Sequence, residues 1–331
     1  MNIAVVILNW NGKELLSRFL PSVVNFSPEA TIYVADNAST DDSVAFLSEH
    51  FPAVRILKNT TNGGYAKGYN DALQGLSEEL FVLLNSDVEV SKNWLPPILT
   101  QFKTDPELAA AQPKVLDQQN KDHFEYAGAA GGFIDRLGYP YCRGRIFNSL
   151  EKDHGQFNDI REIFWASGAC LIVRKDAFWK VGGFDEDYFA HQEEIDLCWR
   201  FQSVGNKVGY IGTSTVYHVG GATLASANPR KTFFNFRNSL LNLLKNKKGA
   251  SVWGIIFLRL ILDAVAAVQF LFQGKVKHFL AVMRAHLSFY LLIAKFLKKR
   301  KIHASGIKYF RTNSIVWNYF VRKERNFNEG Y

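Results

Sequence analysis

An apolar run ends in a polar cluster in the stretch Phe81-Val82-Leu83-Leu84-Asn85-Ser86-Asp87-Val88-Glu89-Val90. Four consecutive apolar residues are typical of a strand buried on both faces, as in a parallel sheet. In open α/β sheets, ligands bind beyond the carboxyl ends of the strands, and Asn85, Ser86 and Asp87 fall at such an end. An aspartate there can hold a divalent cation against a diphosphate. Because the same residue types are common in turns, this stretch alone leaves a turn and a metal site equally open.

Strand and helix signals alternate around this stretch through the first half of the chain. Strands are predicted at Ile3–Leu8, Thr31–Ala35, Val54–Leu57 and Phe81–Leu84, with helices at Glu14–Val24, Ser43–Glu49 and Tyr65–Leu76 between them. Such alternation predicts an α/β fold with a mostly parallel sheet flanked by helices. Residues 116–159 are interpreted as long loops or a small mixed sheet. Further on we predict a strand pair or one bent strand at Ile163–Val173, a helix within Asp185–Ser203, and short strands at Val208–Ile211 and Thr215–His218.

The charge of the chain is divided sharply between its two parts. The 331 residues carry a net charge of +8, with 39 Lys and Arg against 31 Asp and Glu. From Asn228 onward lie 20 of those basic residues and only 3 of the acidic ones. An acidic body with a basic tail indicates an anionic partner, either nucleic acid or a membrane surface. Three widely spaced cysteines and no visible export signal favour a reducing, cytoplasmic location.

Two apolar segments of the basic tail, Val252–Gln273 and Phe279–Leu297, are each long enough to span a bilayer. Both contain charged residues, although Arg259 and Asp263 are spaced to pair on one helix face. Three interpretations stay open: helices lying under lipid headgroups, a membrane-spanning hairpin, or helices packed on the catalytic domain. The cluster Lys298-Lys299-Arg300-Lys301 beside apolar helices favours an anionic membrane surface over nucleic acid, so we expect a peripheral protein on the cytoplasmic face of the membrane.

Three further segments carry candidate chemistry. Asp36 ends a predicted strand and could accept hydrogen bonds from a base or ribose, while Ser39, Thr40 or Asp41 could cap the next helix. The segment Asn62-Gly63-Gly64 opens a helix, where glycines allow close approach of a ligand and free N–H groups suit an anion; a simple tight turn is the alternative.

Carboxylates are crowded at Glu193, Glu194 and Asp196, which raises the pKa of at least one of them unless a cation compensates. Such crowding suits a general base, although Asp196 and Arg200 are spaced to pair with each other. His218 ends a strand and could be a ligand of a cation bound to Asp87.

Taken in order, these motifs resemble family 2 glycosyltransferases, most closely the rhamnosyltransferase-like branch. The resemblance extends from Met1 to about residue 221 and rests on Asn9-Trp10-Asn11-Gly12, Asp36-Asn37-Ala38-Ser39-Thr40-Asp41, Asn62-Gly63-Gly64-Tyr65-Ala66, Asn85-Ser86-Asp87, Gly182-Gly183-Phe184-Asp185, Glu193-Glu194-Ile195-Asp196-Leu197-Cys198-Trp199-Arg200 and His218. It implies a GT-A fold over residues 1–227, followed by a helical region, 228–331, on the acceptor side. It also implies a nucleotide-diphosphate sugar donor, a divalent cation (Mg²⁺ or Mn²⁺), and transfer with inversion to a glycan or lipid-linked acceptor in cell-surface polysaccharide synthesis.

The resemblance also assigns expected roles to individual residues. Asp87 and His218 would bind the cation, and Glu194, beside Glu193, would be the general base. The other expected contacts are to the nucleotide and the substrates: Asn9, Asp36, Asn62, Gly63, Asn85 and Ser86 along the donor, and Arg237 and Asn238 near the acceptor. Asn85 and Glu194 stand where aspartate is more usual in the family. Those two departures keep one alternative open, a non-catalytic membrane-associated protein that binds a nucleotide sugar.

Overall fold

The computed structural model describes residues 1–220, 228–300 and 307–330. Its strands are β1 (Ile3–Asn9), β2 (Thr31–Asp36), β3 (Arg55–Lys58), β4 (Leu80–Asn85), β5 (Val88–Val90), β6 (Leu108–Asp117), β7 (Gly132–Ile134), β8 (Pro140–Cys142), β9 (Arg145–Ile146), β10 (Ser149–Leu150), β11 (Ile160–Glu162), β12 (Cys170–Arg174) and β13 (Lys207–His218). Its helices are α1 (Lys13–Phe26), α2 (Ser43–His50), α3 (Gly64–Leu73), α4 (Leu95–Thr104), α5 (Lys175–Lys180), α6 (Glu193–Ser203), α7 (Pro229–Asn246), α8 (Ser251–Phe272), α9 (Val276–Lys299) and α10 (Ile315–Phe320), with a 3₁₀ turn at Glu186–Tyr188.

The central sheet has nine strands in the order β11-β13-β6-β12-β4-β1-β2-β3, and β5 pairs with β13 beside it. Strands β1 to β4, β6 and β13 run in one direction, while β5, β11 and β12 run against them. The predicted α/β fold with a mostly parallel sheet is therefore confirmed. Strand β4 lies inside this sheet, between β1 and β12.

The strand β4 is buried on both faces, as its sequence predicts. Phe81 and Leu83 belong to one apolar core, whereas Val82 and Leu84 belong to the core on the other side of the sheet. This alternation follows from the two-residue repeat of a strand, and each fully buried side chain of this size contributes about 1.5–3 kcal/mol to folding. Two covered faces hold the register of β4 firmly and so fix the position of the polar residues that follow it.

Two predicted strand segments differ from the structure. Within Ile163–Val173 only β12 is a strand, because the chain turns at Ser167 and Gly168, where Ser167 Oγ donates to the Ala127 carbonyl at 2.8 Å. The two short strands predicted before His218 form the single strand β13, whose register against β6 shifts between Ile211 and Thr215. In the irregular region, β7 to β10 form a small sheet, but all of its pairings are antiparallel.

Helices α7, α8 and α9 pack with one face on the sheet-containing part of the chain and leave another face open. Helices α8 and α9 are long and apolar enough to cross a membrane by length and composition, but 28% and 33% of their apolar windows are buried inside the protein. The charged residues of α8 lie on the buried face: Arg259 Nε is 3.5 Å from Asp263 Oδ1, which confirms the predicted pairing. Arg259 also donates to the Leu137 carbonyl at 2.8 Å, and Tyr139 Oη donates to Asp263 at 3.1 Å.

Candidate active site

Three residues that were predicted to contact the sugar donor meet at one edge of the sheet. Asn9 ends β1 in register with Asp36 at the end of β2, and Asn85 ends the neighbouring strand β4. Asn9 Nδ2 lies 3.4 Å from Asp36 Oδ1, and both side chains are buried. Among the described residues, Asn9 Oδ1 has no hydrogen-bond partner, and a Cβ on Gly12 would lie only 2.4 Å from it. The edge thus holds polar groups beside a space that only a glycine leaves open.

The loop after β2 is tied to the loop after β1 by side-chain hydrogen bonds. Asp36 Oδ2 accepts from the Ser39 N–H at 3.1 Å, and Asn11 Oδ1 accepts from the Thr40 N–H at 2.7 Å. Asp41 accepts from the N–H of Ser43, the first residue of α2, at 3.1 Å, but the N-cap residue itself is Asp42, which makes no side-chain capping bond. These bonds hold Asp36 in a fixed orientation at the sheet edge.

At the helix start Asn62-Gly63-Gly64, N–H groups that were predicted to suit an anion are already bonded within the protein. The Gly64 N–H donates to Asn62 Oδ1 at 3.0 Å, and the Tyr65 N–H donates to the Phe189 carbonyl at 2.8 Å. Gly64 has φ +72°, and a Cβ there would lie 2.5 Å from that same carbonyl. The glycine is needed because α3 begins against the loop that precedes α6, so the motif supports that loop.

His218 lies between two buried carboxylates. Its Nε2 is 3.1 Å from Asp87 Oδ1, and its Nδ1 is 3.2 Å from Glu125 Oε2. Asn85 Nδ2 is 3.5 Å from His218 Nε2, so the residues predicted at the metal site do come together. Burial lowers the pKa of His218, but the two carboxylates outweigh it and raise the pKa to about 10. Glu125 was not predicted, because it lies in the irregular region between β6 and β7, where no periodicity or motif marks it.

Asp87 and His218 fit a divalent cation in chemical type, as a carboxylate and an imidazole that converge. In the described part of the chain, no group of three or more His, Cys, Asp or Glu side chains could hold a metal ion. The remaining coordination positions would therefore belong to diphosphate oxygens and water, as is common for Mg²⁺. His218 must release a proton before Nε2 can coordinate a cation.

Glu193 and Glu194 begin α6 with buried carboxyl groups. Each has an Oε2 atom without a hydrogen-bond partner in the described residues. Burial raises the pKa of Glu194 to about 7, and burial together with the neighbouring Glu194 raises the pKa of Glu193 well above its ordinary value. A carboxylate with a raised pKa and an oxygen that no other group occupies is suited to accept a proton.

Asp196, the third member of the acidic cluster, is compensated by cations. Arg200 Nε lies 2.8 Å from Asp196 Oδ2, as its spacing predicts, and Lys245 Nζ lies 2.9 Å from the same oxygen. Burial raises the pKa of Asp196, but Arg200 and Lys245 outweigh it and hold the pKa well below its ordinary value. Asp196 is therefore a permanent charge that anchors α6 to α7.

The loop before α6 has a strained backbone that α7 holds in place. Phe189, His191 and Gln192 all have positive φ, of +65°, +68° and +75°, which costs non-glycine residues roughly 1–3 kcal/mol each. Asn238 Nδ2 donates to the carbonyls of Tyr188, Ala190 and His191 at 3.2, 3.0 and 2.7 Å. Nearby, Arg237 donates to the Asp187 and Tyr188 carbonyls, both at 3.1 Å, and Asn242 donates to the Gln192 carbonyl at 3.1 Å.

These hydrogen bonds to the loop backbone occupy Arg237 and Asn238, which were expected near the acceptor. Asn238 is fully buried, and its amide is occupied by the loop backbone, so it is not available to a bound substrate. Arg237 is likewise mostly buried. Both side chains contact the loop that leads into Glu193 and Glu194. Asn242 was missed because an asparagine inside an amphipathic helix carries no signal of its distant partner.

Comparison with solved structures defines the class of fold. GalNAc-T7 with UDP, GalNAc and Mn²⁺ is similar with a TM-score of 0.59 at 17% identity, over 74% of this chain and 48% of that one, so this chain spans about half of that protein. The Pyrobaculum calidifontis mannosyltransferase PcManGT with GDP-Man and Mn²⁺ is similar with a TM-score of 0.52 at 14% identity, over 90% of this chain and 84% of that one. The fold is that of a GT-A glycosyltransferase.

Residues 4–182 match the family model described as glycosyl transferase family 2, which covers more than half of the chain. The chain belongs to that family and is a glycosyltransferase. Among curated relatives, the N-acetylglucosaminyl-diphospho-decaprenol L-rhamnosyltransferase of Mycobacterium tuberculosis is 28% identical over 65% of this chain and 75% of its own length. The low-salt glycan biosynthesis hexosyltransferase Agl10 of Haloferax volcanii is 22% identical over 84% of this chain and 87% of its own length.

Proposed function

We propose that this enzyme transfers a sugar, with inversion, from a nucleotide-diphosphate donor to a hydroxyl of a lipid-linked acceptor in cell-surface polysaccharide synthesis. The observation that carries this proposal is the carboxyl group of Glu194 at the start of α6, which has a buried oxygen without a hydrogen-bond partner in the described residues and a raised pKa. The relative from Mycobacterium tuberculosis is named for a lipid-diphosphate acceptor, which supports the choice of acceptor class.

The sheet edge would bind the donor. Asp36 and Asn9 would accept and donate hydrogen bonds to the nucleoside, and Asn85 and Ser86 would lie along the diphosphate. Asp87 and His218 would hold Mg²⁺ or Mn²⁺, which would neutralise negative charge on the leaving diphosphate. The Mn²⁺ ions in similar folds support a divalent cation here.

The reaction would be a single in-line displacement. Glu194 accepts the proton of the acceptor hydroxyl as the oxygen attacks the anomeric carbon of the donor sugar. The bond from that carbon to the diphosphate oxygen breaks on the opposite face, which inverts the configuration. Burial would keep Glu193 protonated. Glu194 would then carry its negative charge without repulsion from a second carboxylate.

The open face of α8 and α9 supports attachment to a membrane. This apolar face includes Phe257, Val265, Leu287 and Leu291, which are 64%, 63%, 61% and 77% exposed. A contiguous apolar surface of this kind is unusual on a monomeric soluble protein. The basic residues at the end of α9 complement anionic headgroups. Because the charges of α8 are buried against the catalytic region, we infer that the two helices lie in the membrane surface on its cytoplasmic face and do not span it.

We also infer that residues 1–227 form the catalytic part and residues 228–331 the helical part on the acceptor side. The boundary falls at residues 221–227, which lie outside the described residues.

A panel of nucleotide sugars tests the proposed function directly. One or more should raise the melting temperature only when Mn²⁺ or Mg²⁺ is present, and the same donor should release nucleoside diphosphate when a lipid-linked glycan is added. Donor binding without any release, across the panel and with lipid-linked acceptors, would favour the non-catalytic alternative.

A further inference from the structure

A groove between α7 and α9 is a second open site beside the loop before α6. We define the α7–α9 groove by six of its lining residues: Arg230, Phe233, Phe234, Lys277, Leu280 and Arg284. Its volume is about 680 Å³, which is in the range of sites for small organic ligands. Asn9, Asp36 and Asn85 of the sheet edge are not among the residues that line it.

The charge of this groove is uncompensated. Arg230, Lys277 and Arg284 are exposed, and in the described part of the chain none of them is paired with a carboxylate. The adjoining residues 221–227 contain no Asp or Glu in the sequence. By contrast, the cleft at the other end of α9 is neutralised, since Lys245 lies 2.8 Å from Asp185 and Lys295 lies 2.6 Å from Asp187. The groove therefore attracts an anion with more than one negative charge.

One end of the groove adjoins the loop that leads into the proposed base, Glu194, at the start of α6. The ring of Phe234 stacks on Phe189 with centroids 5.6 Å apart, and the Arg230 guanidinium lies 5.0 Å from the Phe189 ring centroid. His191, whose ring centroid is 6.4 Å from that of Phe234, precedes Glu194 by three residues, a span of at most about 11 Å. One short segment of chain therefore joins the Phe234 end of the groove to Glu194.

The other end of the groove opens on the apolar face of α9. Leu280, Met283, Leu287 and Leu291 follow one another at helical spacing and are 45%, 46%, 61% and 77% exposed. An apolar stripe that begins at a cationic groove matches a molecule with a diphosphate head and a hydrocarbon tail.

We propose that the α7–α9 groove binds the diphosphate of a polyprenyl-linked acceptor, with the lipid along α9 and the sugar directed toward Glu194. This assignment rests on the proposed function. Arg230, Lys277 and Arg284 bind the phosphate oxygens, and Phe233 and Leu280 contact the first part of the lipid.

Calorimetric titration of the full chain with farnesyl diphosphate, in EDTA, tests the assignment. Wild type should bind this probe more tightly than inorganic pyrophosphate or farnesol, each of which lacks half of the recognition. The triple variant Arg230→Gln/Lys277→Gln/Arg284→Gln should bind it at least about tenfold more weakly, since one lost hydrogen bond to a charged group is worth about that factor. The matched control Lys92→Gln/Lys103→Gln/Lys180→Gln changes three exposed lysines elsewhere and should bind as wild type does.

Two further measurements show where farnesyl diphosphate binds and separate weaker binding from loss of folding. Asp87→Ala should retain the affinity for farnesyl diphosphate. Loss of this affinity in Asp87→Ala would overturn the assignment, and so would wild-type affinity in the triple variant. If the triple variant melts lower than wild type, the single exposed change Lys277→Glu replaces it, and unchanged affinity in that variant also overturns the assignment. Release of nucleoside diphosphate from the donor by wild type is measured in parallel, so a failed groove and a failed transferase function give different results.

Discussion

His218 Nε2 lies 3.1 Å from Asp87 Oδ1. On its other side, Glu125 holds the second ring nitrogen, so the imidazole orientation is fixed before any ligand binds. In metal sites, a carboxylate often contacts the second ring nitrogen of a histidine ligand in this way. We therefore expect Asp87 and His218 to bind a cation together.

Replacement of Asp87 by alanine should weaken metal-dependent donor binding. The variant loses the only carboxylate proposed as a cation ligand, and His218 alone holds Mg²⁺ or Mn²⁺ poorly. The measurement is the rise in melting temperature with nucleoside diphosphate as Mn²⁺ is increased. Asp176→Asn, an exposed carboxylate on α5, is the control. An unchanged Mn²⁺ titration in Asp87→Ala would remove Asp87 from the site.

Glu194→Gln should lower transfer by about 10²–10⁴-fold, the usual contribution of a general base. Donor binding should be nearly unchanged, since the amide keeps the shape of the side chain and the base contacts only the acceptor. Steady-state transfer and donor titration measure the two effects separately. Glu14→Gln on the surface of α1 serves as the matched control. Wild-type turnover in Glu194→Gln would disprove the assignment.

The rate should depend on pH through Glu194. Because burial raises its pKa to about 7, the base is protonated at lower pH, so kcat/KM should rise with pH up to about 7 and then level off. The residual activity of Glu194→Gln should lack this ascending limb. A wild-type profile that is flat between pH 5 and 8 would show that another group accepts the proton.

Glu193→Gln should preserve the pH profile and increase stability at high pH. The pKa of Glu193 is raised in the folded state, so the folded protein binds more protons than the unfolded chain above the ordinary glutamate pKa. The free energy of unfolding then falls as pH rises through that range. Denaturant unfolding at pH 5 and pH 8 should show the stabilising effect of the variant mainly at pH 8. Loss of activity in this variant would instead make Glu193 the base.

Asn238→Ala should lower kcat more than donor affinity. The change leaves the carbonyls of Tyr188, Ala190 and His191 without their donor and releases a strained loop, at a cost of about 1–3 kcal/mol in stability. Assays well below the melting temperature separate positioning from unfolding. Asn235→Ala, on the same helix and without a side-chain hydrogen bond in the described residues, should behave as wild type. Equal losses in kcat and donor binding would contradict a positioning role.

Replacement of Phe257, Leu287 and Leu291 by serine should abolish binding of the protein to vesicles of phosphatidylglycerol and phosphatidylcholine. These side chains are exposed on α8 and α9, so the triple variant should keep its melting temperature while it loses the apolar surface. Co-sedimentation measures the binding, and Ile160→Ser tests an exposed apolar side chain elsewhere. Unchanged sedimentation of the triple variant would mean that this face does not meet the membrane.

Much of the candidate site follows from local sequence, because the ends of parallel strands share one edge of a sheet. Asn9, Asp36 and Asn85 each follow an apolar run, and the structure brings all three together. The pairing of Asp196 with Arg200 and of Arg259 with Asp263 follows from helical spacing alone. The same local reasoning misjudged the N–H groups of Gly64 and Tyr65, since their partners include Phe189, far along the chain.

The α/β sheet, the polar residues at its edge and the apolar character of the last helices can all be predicted from local sequence. Periodicity and strand ends are local properties, so they can be predicted without the fold. The folded chain alone reveals that Glu125 flanks His218, that Asn238 holds the loop before α6, and that the charges of α8 face inward. Each of these depends on contacts between residues distant in sequence, where buried polar groups take whichever partner the packed chain brings within reach.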